Sequence, residues 1–429
     1  MKKWLSTVTA AALTVSLMAG CAGGPEAPKS GSAPAPQGSG TKAAPPITLK
    51  LIQNKVEVTE QVKQMAADYT KENPNVTIDA QVVRDLDTLL KTRFASGDEP
   101  DIFFAKSYSG VKDWSERLLD LSNEPWMSQV VASAVPGMTV NGKKYGFPSA
   151  LEGYGFIYNK DLFAKAGIDK VPTTLTELKQ LNEKLKAAGI ASYAEGYKEG
   201  FILGRNLFNL PFAYSPNPDE LIGKISGGTA KVQDIAHMKS FFEVLDMTVK
   251  YGKGVESVGI SYDNQVAEFS SGKTAMMQQG VWTIDLIKKV NPNIKIGMFA
   301  IPLTDNPDDT KLPVGIPAYY VINKNSKNVE EAKKFLAWMH KNGQKYLVDS
   351  MHLIPGFKDL KATDDLGPLA ADMNTYLEKN KTIPWAYLLW PAGMDVQFTK
   401  PLQAYIGGQI NKDQALEEVQ KLWNTAVKK

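Results

Sequence analysis

The chain has 429 residues, 49 Lys and Arg against 46 Asp and Glu, and a formal net charge of +3. Its basic residues are scattered rather than striped, which excludes a phosphate-tracking nucleic-acid surface, and its length implies more than one domain. Cys21 is the only cysteine, so a disulfide framework and a cysteine-rich metal site are both excluded.

Residues 1–21 read as a secretion signal. Lys2 and Lys3 form the charged start, and 8–19 is an apolar core too short to span a bilayer, which needs about 20 residues. It ends Leu17-Met18-Ala19-Gly20-Cys21, small residues before a cysteine, the pattern of a bacterial lipobox. We therefore expect Cys21 to carry lipid. From 22 to 46 the chain is mostly Gly, Pro, Ala and Ser, too poor in apolar groups to offset its own ordering entropy, and it reads as a tether.

From Ile47 onward strands and helices alternate. Residues 48–52 form a strand. Val58, Val62, Met65 and Tyr69 share a helix face, and 76–82 alternate as a second strand. Leu86, Leu90 and Phe94 mark a helix closed by Gly97, and 101–105 is a third strand. Such βαβ units predict an α/β fold with a mainly parallel sheet and helices on both faces. Thr174 with Glu177 makes a capping box for a helix striped by Leu175, Leu178, Leu181 and Leu185, and Asn328 with Glu331 repeats the pattern before Phe335, Leu336 and Met339. Met238, Phe242 and Leu245 mark another helix, and Leu416, Val419 and Leu422 the last one.

Tyr262, Val266 and Phe269 line a helix stopped by Gly272. An apolar strand follows from Thr274, Gly280 breaks the chain, and Trp282 stands at the next helix start. An aromatic on a strand-to-helix turn lies where open α/β sheets bind ligands. The stretch Phe269-x-x-Gly272-Lys273-x-Ala275-Met276-x-x-x-Gly280-x-Trp282 resembles the corresponding segment of family 1 extracellular solute-binding proteins, receptors of sugar-importing ABC transporters of the maltose-binding type. Tyr145-Gly146-Phe147-Pro148, then Glu152 and 156–163, resembles that family's first inter-lobe crossing, and 297–302 its second.

The resemblance implies a two-lobe periplasmic-binding-protein fold, type II-like. Lobe one would be 47–151 plus 303–345, and lobe two 152–302 plus 346–429. Hinge crossings would join them and a ligand cleft would lie between. With the lipobox pattern, a lipid-anchored receptor on the extracytoplasmic face of the cell membrane is expected, acting as a monomer. That receptor would capture a mono- or oligosaccharide by hinged closure and deliver it to an ABC permease, with no cofactor and no bond broken.

A sugar is held by aromatic platforms on its CH faces and planar polar groups on its hydroxyls. Trp282 is the first candidate platform; the structural alternative is a core tryptophan. Trp390, before Pro391, is the second, with Trp385 as its rival. Glu152 matches an acid that binds sugar hydroxyls in the family and otherwise reads as a solvated loop acid. Tyr108 is the lobe-one aromatic; Ala105 stands where sugar binders of the family carry Trp. Asn54 is a polar contact by placement after the first strand, or a turn residue.

No phosphate loop, GxGxxG or nucleophile elbow occurs. His237, His340 and His352 lack ligand-like spacing, so no metal is expected. The acid pairs Asp308-Asp309 and Asp364-Asp365 read as solvated turns. Two other classes stay open. One is a lipoprotein binding a peptide or organic anion, which should place Arg near the aromatics. The other is a surface glycosidase, which needs two carboxylates across a cleft.

Overall fold

The computed structural model describes residues 45–363 and 366–428. The leader 1–21, Cys21, the tether up to residue 44 and the pair Asp364-Asp365 lie outside the described residues.

The first lobe is built on β1 (Ile47–Gln53), α1 (Thr59–Glu72), β2 (Val76–Val82), α2 (Leu86–Ser96) and β3 (Ile102–Lys106). Each helix follows its expected stripe. α1 buries Val62, Met65, Ala66 and Tyr69. α2 begins where Asp85 accepts from the Thr88 amide at 3.2 Å and ends on Gly97 at φ 76°, a left-handed turn that a side chain would strain. The two-residue strand β4 (Phe147–Pro148) finishes the lobe's N-terminal portion.

The second lobe begins with β5 (Glu152–Asn159) and continues through α3 (Leu175–Ala187), β6 (Ala191–Ala194), α4 (Met238–Tyr251), α5 (Tyr262–Ser270), β7 (Thr274–Gly280), β8 (Ile296–Phe299) and β9 (Leu312–Gly315). The capping box at Thr174 forms as expected. The chain then returns to the first sheet as β10 (Ala318–Ile322), with α6 (Val329–Lys341) behind it. It ends in the second lobe with β11 (Thr382–Ile383) and α7 (Lys412–Ala426).

Among the described residues two large open sheets result, beside a two-stranded ribbon within 139–144. The first has strand order β2-β1-β3-β10-β4, and the second has β11-β9-β5-β7-β6 with β8 also on β5. Only part of this is parallel. β1 runs parallel to β2 and β3, and β10 is antiparallel to both its neighbours. In the second sheet β5 is antiparallel to β7, β8 and β9. The expectation of mainly parallel sheets therefore holds for three strands of the first lobe and fails in the second, where long returns bring strands in reversed. Each sheet has its own apolar core, one around Leu51, Phe103, Tyr320 and Phe335, the other around Phe156, Met277, Phe299 and Trp423. Two sheets with separate cores are the two-lobe α/β architecture.

The return crossing lies later than 297–302. Ile301, Leu303 and Leu312 still belong to the second core, and the change of sheet falls between Gly315 and Ala318. Tyr346, Leu347 and Phe357 pack in the first core, so the last crossing is also later than expected. The three passages run side by side. The Leu151 amide donates to the Ile354 carbonyl at 2.8 Å. A Cβ on Gly356 would stand 2.6 Å from Pro148 Cβ, so only glycine lets these two passages touch. Passages bundled this closely can act as a hinge.

One cap differs from the sequence reading. Asn328 does not close a box with Glu331. The Tyr69 hydroxyl, buried between α1 and α6, donates to Glu331 at 2.5 Å instead. A buried hydroxyl without an acceptor is costly, and that need overrides the cap. No helix among the described residues is long and apolar enough to cross a membrane.

Candidate functional site

The loops that leave the carboxyl ends of β1, β2 and β3 face the second lobe. Gln53, fully buried, accepts from the Lys55 amide at 2.8 Å, while its Nε2 has no partner among the described residues. Lys55 forms an ion pair with Glu152, the first residue of β5. The Tyr262 hydroxyl, at the start of α5, donates to Glu57 at 2.9 Å. Arg84, just after β2, donates twice to Asp263 at 3.0 and 2.9 Å. Lys106 ends β3 between Asp87 at 2.7 Å and Asp395 at 3.5 Å. Each loop therefore carries a charged group from lobe one to lobe two, and the strand ends place them there.

Burial sets the electrostatics. Burial lowers the Lys55 ammonium, and the Glu152 and Glu57 carboxylates beside it outweigh that, so it titrates above the ordinary lysine value. Glu57 is pushed up by burial, and Lys55 only partly offsets this. One cation thus serves two acids.

Beside Glu152 and its strand partner Gly315, the second lobe carries an aromatic row. Gly280 ends β7, and a Cβ there would lie 2.1 Å from the Trp282 ring and 2.5 Å from the Gly153 carbonyl. Only glycine lets the indole fold back over the strand end. Trp282 is half-buried and meets Trp385 edge-on, centroids 6.4 Å apart at 84°. Trp385 stacks on Tyr387 at 5.6 Å and 29°. It also lies over Gly315, whose Cβ would be 3.1 Å from its ring, so it sits beside the return crossing. The Trp385 indole nitrogen has no partner among the described residues.

The candidate residues divide accordingly. Trp282, Trp385 and Glu152 come together at the seam. Trp390 does not join them. It is 2 % exposed and edge-on to Phe212 at 4.9 Å and Phe398 at 5.3 Å, with Trp423 at 6.2 Å. Both tryptophans are buried, and their neighbours separate them: Trp390 is ringed by core aromatics, whereas Trp385 meets Trp282 and Gly315. Glu152 is buried and paired, not a solvated loop acid. Asn54 is exposed, and its neighbour Gln53 is the buried amide at that strand end. Tyr108 is 36 % exposed, with φ 56° and ψ −91°, a conformation that costs a non-glycine residue about 1–3 kcal/mol. The Asp219 carboxylate of lobe two is near enough to act on its hydroxyl, although burial is the larger cause of its raised pKa.

Sequence reading missed Lys55, Glu57, Arg84, Lys106, Tyr262, Arg205 and Asp395. The first four stand just past or at strand ends, which was the available signal. Arg205 lies beside the aromatic row. Its guanidinium lies 5.3 Å over Tyr387 and 5.4 Å over Phe201, with Asp395 at 3.7 Å. No group of His, Cys, Asp and Glu among the described residues could hold a metal. His340 and His352 instead meet Asp359 at 3.2 Å and Asp285 at 2.8 Å. Asp308 pairs with Lys381 on the surface at 3.0 Å.

Flat aromatic faces, buried amides and charge-paired carboxylates suit a guest with apolar CH faces and hydroxyl edges. Known proteins agree in kind. The "Multiple sugar-binding protein" of Streptococcus mutans is 26 % identical over 299 residues, covering 68 % of this chain and 71 % of that one. The "Melibiose/raffinose/stachyose-binding protein MelE" of Bacillus subtilis is 22 % identical over 70 % of this chain and 71 % of its own. Among solved structures, "SBP RafE in complex with raffinose" superposes with TM-score 0.78 at 24 % identity over 89 % of this chain and 99 % of that one. A "Chitin oligosaccharide binding protein" gives 0.78 at 22 % over 90 % and 100 %. Residues 55–346 match the family described as bacterial extracellular solute-binding protein. Two lobes, strand-end loops that meet across a seam and this match lead to one conclusion: the chain belongs to the bacterial extracellular solute-binding proteins.

Proposed function

We propose that this chain is the carbohydrate receptor of an ABC importer, and that it clamps a mono- or oligosaccharide between its lobes and releases it unchanged to the permease. The observation that carries the reading is the row Trp282–Trp385–Tyr387 beside Glu152, the residue that pairs with Lys55 of lobe one. The kinds of sugar named in the relatives support it. Trp282, Trp385, Glu152 and Tyr108 are the contacts we assign, with Trp390 behind them and Asn54 at the rim. A ligand touching both lobes favours the closed form by its differential affinity. The lobes divide along the two cores, near 149–151, 315–318 and 353–357. The chain acts as a monomer, held to the membrane by lipid on Cys21. Replacing Cys21 by alanine is then expected to move the protein from the detergent phase to the aqueous phase in Triton X-114 partition.

The test is a thermal-shift panel of raffinose, stachyose, chitooligosaccharides and maltodextrins. A ligand at about 100 times its Kd should add about 2.7 kcal/mol of stability. The sugar should be recovered intact, and new reducing ends would overturn the reading. Trp282→Ala is expected to weaken binding about 30–150-fold, the 2–3 kcal/mol of an aromatic anchor. Trp390→Phe should change Kd less than about threefold. Isothermal titration of both variants checks the assignment; equal losses would contradict it.

A further inference from the structure

Behind Trp282 runs a line of buried amides that no ligand contact explains. The Trp282 indole N–H donates to Gln279 Oε1 at 3.1 Å. Gln279 Nε2 donates to Gln265 Oε1 at 2.8 Å. Gln265 Nε2 donates to the Ala194 carbonyl at 3.0 Å. Both glutamines are buried.

The direction of the line is forced. An indole nitrogen can only donate, so Gln279 must present its oxygen to it. Its amino group then faces Gln265, which must present oxygen in turn and has only its own amino group left for the Ala194 carbonyl. Reversing either amide would set two donors or two acceptors against each other in a dry interior, a cost of about 1–3 kcal/mol per unsatisfied group. The ring is therefore held by polar groups on β7, α5 and β6.

Gln265 lies one helical turn from Tyr262, and Asp263 is the next residue of that first turn. Those two residues receive lobe one through Glu57 and Arg84. Ser261 caps the same end of α5, accepting from the Asn264 amide. One short helix thus touches the opposite lobe at its start and orients the platform from its side.

We propose that Gln279 and Gln265 are positioning residues for Trp282, and that α5 couples the orientation of this ring to the contacts Arg84–Asp263 and Glu57–Tyr262. The proposal rests on reading Trp282 as a sugar platform, but its positioning half can be read without sugar. In the ligand-free full chain, the Trp282 indole cross-peak of a ¹H–¹⁵N spectrum is assigned by its loss in Trp282→Phe. Gln265→Met, which touches no ring atom, is expected to move or broaden that peak by several linewidths. Gln279→Glu in its protonated form offers the indole an acceptor and Gln265 a donor and should keep the peak near its wild-type position, whereas Gln279→Met should not.

Arg84→Ala lies on the exposed surface of the other lobe and should fold normally. It is expected to shift the same peak in the same direction as Gln265→Met. An unmoved peak in Gln265→Met with native circular dichroism overturns the positioning role. An unmoved peak in Arg84→Ala overturns the coupling. If Gln265→Met does not fold, the contrast between Gln279→Glu and Gln279→Met decides. With raffinose as probe, Gln265→Met should bind about tenfold more weakly than wild type. Wild type failing to bind raffinose while the peak moves as stated would count against the ligand reading alone.

Discussion

Raising the pH from about 5 to about 8 is expected to destabilise this protein, and Glu195→Gln to remove most of that loss. Glu195 follows β6 and is almost wholly buried. Burial pushes its carboxyl up to about 8. Its oxygens receive the Lys253 amide at 3.0 and 3.2 Å. No ammonium among the described residues pairs with it: the Lys253 side chain goes to Glu268 at 2.9 Å. Gly252 is pressed so close that a Cβ there would lie 2.1 Å from the carboxylate. A raised acid is protonated in the fold at a pH where the unfolded chain has already ionised. The folded form then binds more protons, and stability falls as pH rises from the unfolded value of 4.5 through about 8. At 1.36 kcal/mol per unit the span is on the order of 4 kcal/mol. Glu57 and Asp372, both raised first by burial, act in the same direction. Asp68, held down to about 2 mainly by its bond from Lys71, matters only under stronger acid. Urea unfolding at several pH values reads the slope. A Glu195→Gln variant with the parent's slope would refute the assignment.

Lys55→Met is expected to cost about 3–5 kcal/mol, the usual result of stripping one partner from a buried pair. The side chain keeps its apolar length, so the loss is of charge. Glu152 and Glu57 would then share the seam with no cation between them. Acid should recover part of the loss, because burial already raises Glu57 and protonation removes its charge. Glu152→Gln in the same background should recover more, since it removes the stranded charge outright. A double-mutant cycle over Lys55 and Glu152 by chemical unfolding measures the coupling. Additive losses would mean that the pair is solvated in solution.

Much of the first lobe was legible because its elements are local. The stripe Val62–Met65–Tyr69 and the stop at Gly97 each depend on neighbours a few residues away. The seam was harder. Glu152 could be suspected, but its partner Lys55 lies 97 residues earlier. In Trp385-Ala-Tyr-Leu-Leu-Trp390 both indoles look alike, and what separates them is Gly315 beneath one and Phe212, Phe398 and Trp423 around the other. The stretch Phe201–Leu207, a π-helix that carries Arg205, is apolar on nearly every side and shows no period to read. Asn328 has the right spacing for a cap, yet Tyr69 takes its glutamate.

The strand order has a consequence for synthesis. β10 lies between β3 and β4 in the first sheet, yet its first residue is Ala318. Until the ribosome has passed that point, the edge of β3 stays open and the nascent first lobe is incomplete, while most of the second lobe's strands already exist. Pairings this distant in sequence make folding slow. The order in which the chain emerges therefore delays commitment to the native state until more than two-thirds of it has been made.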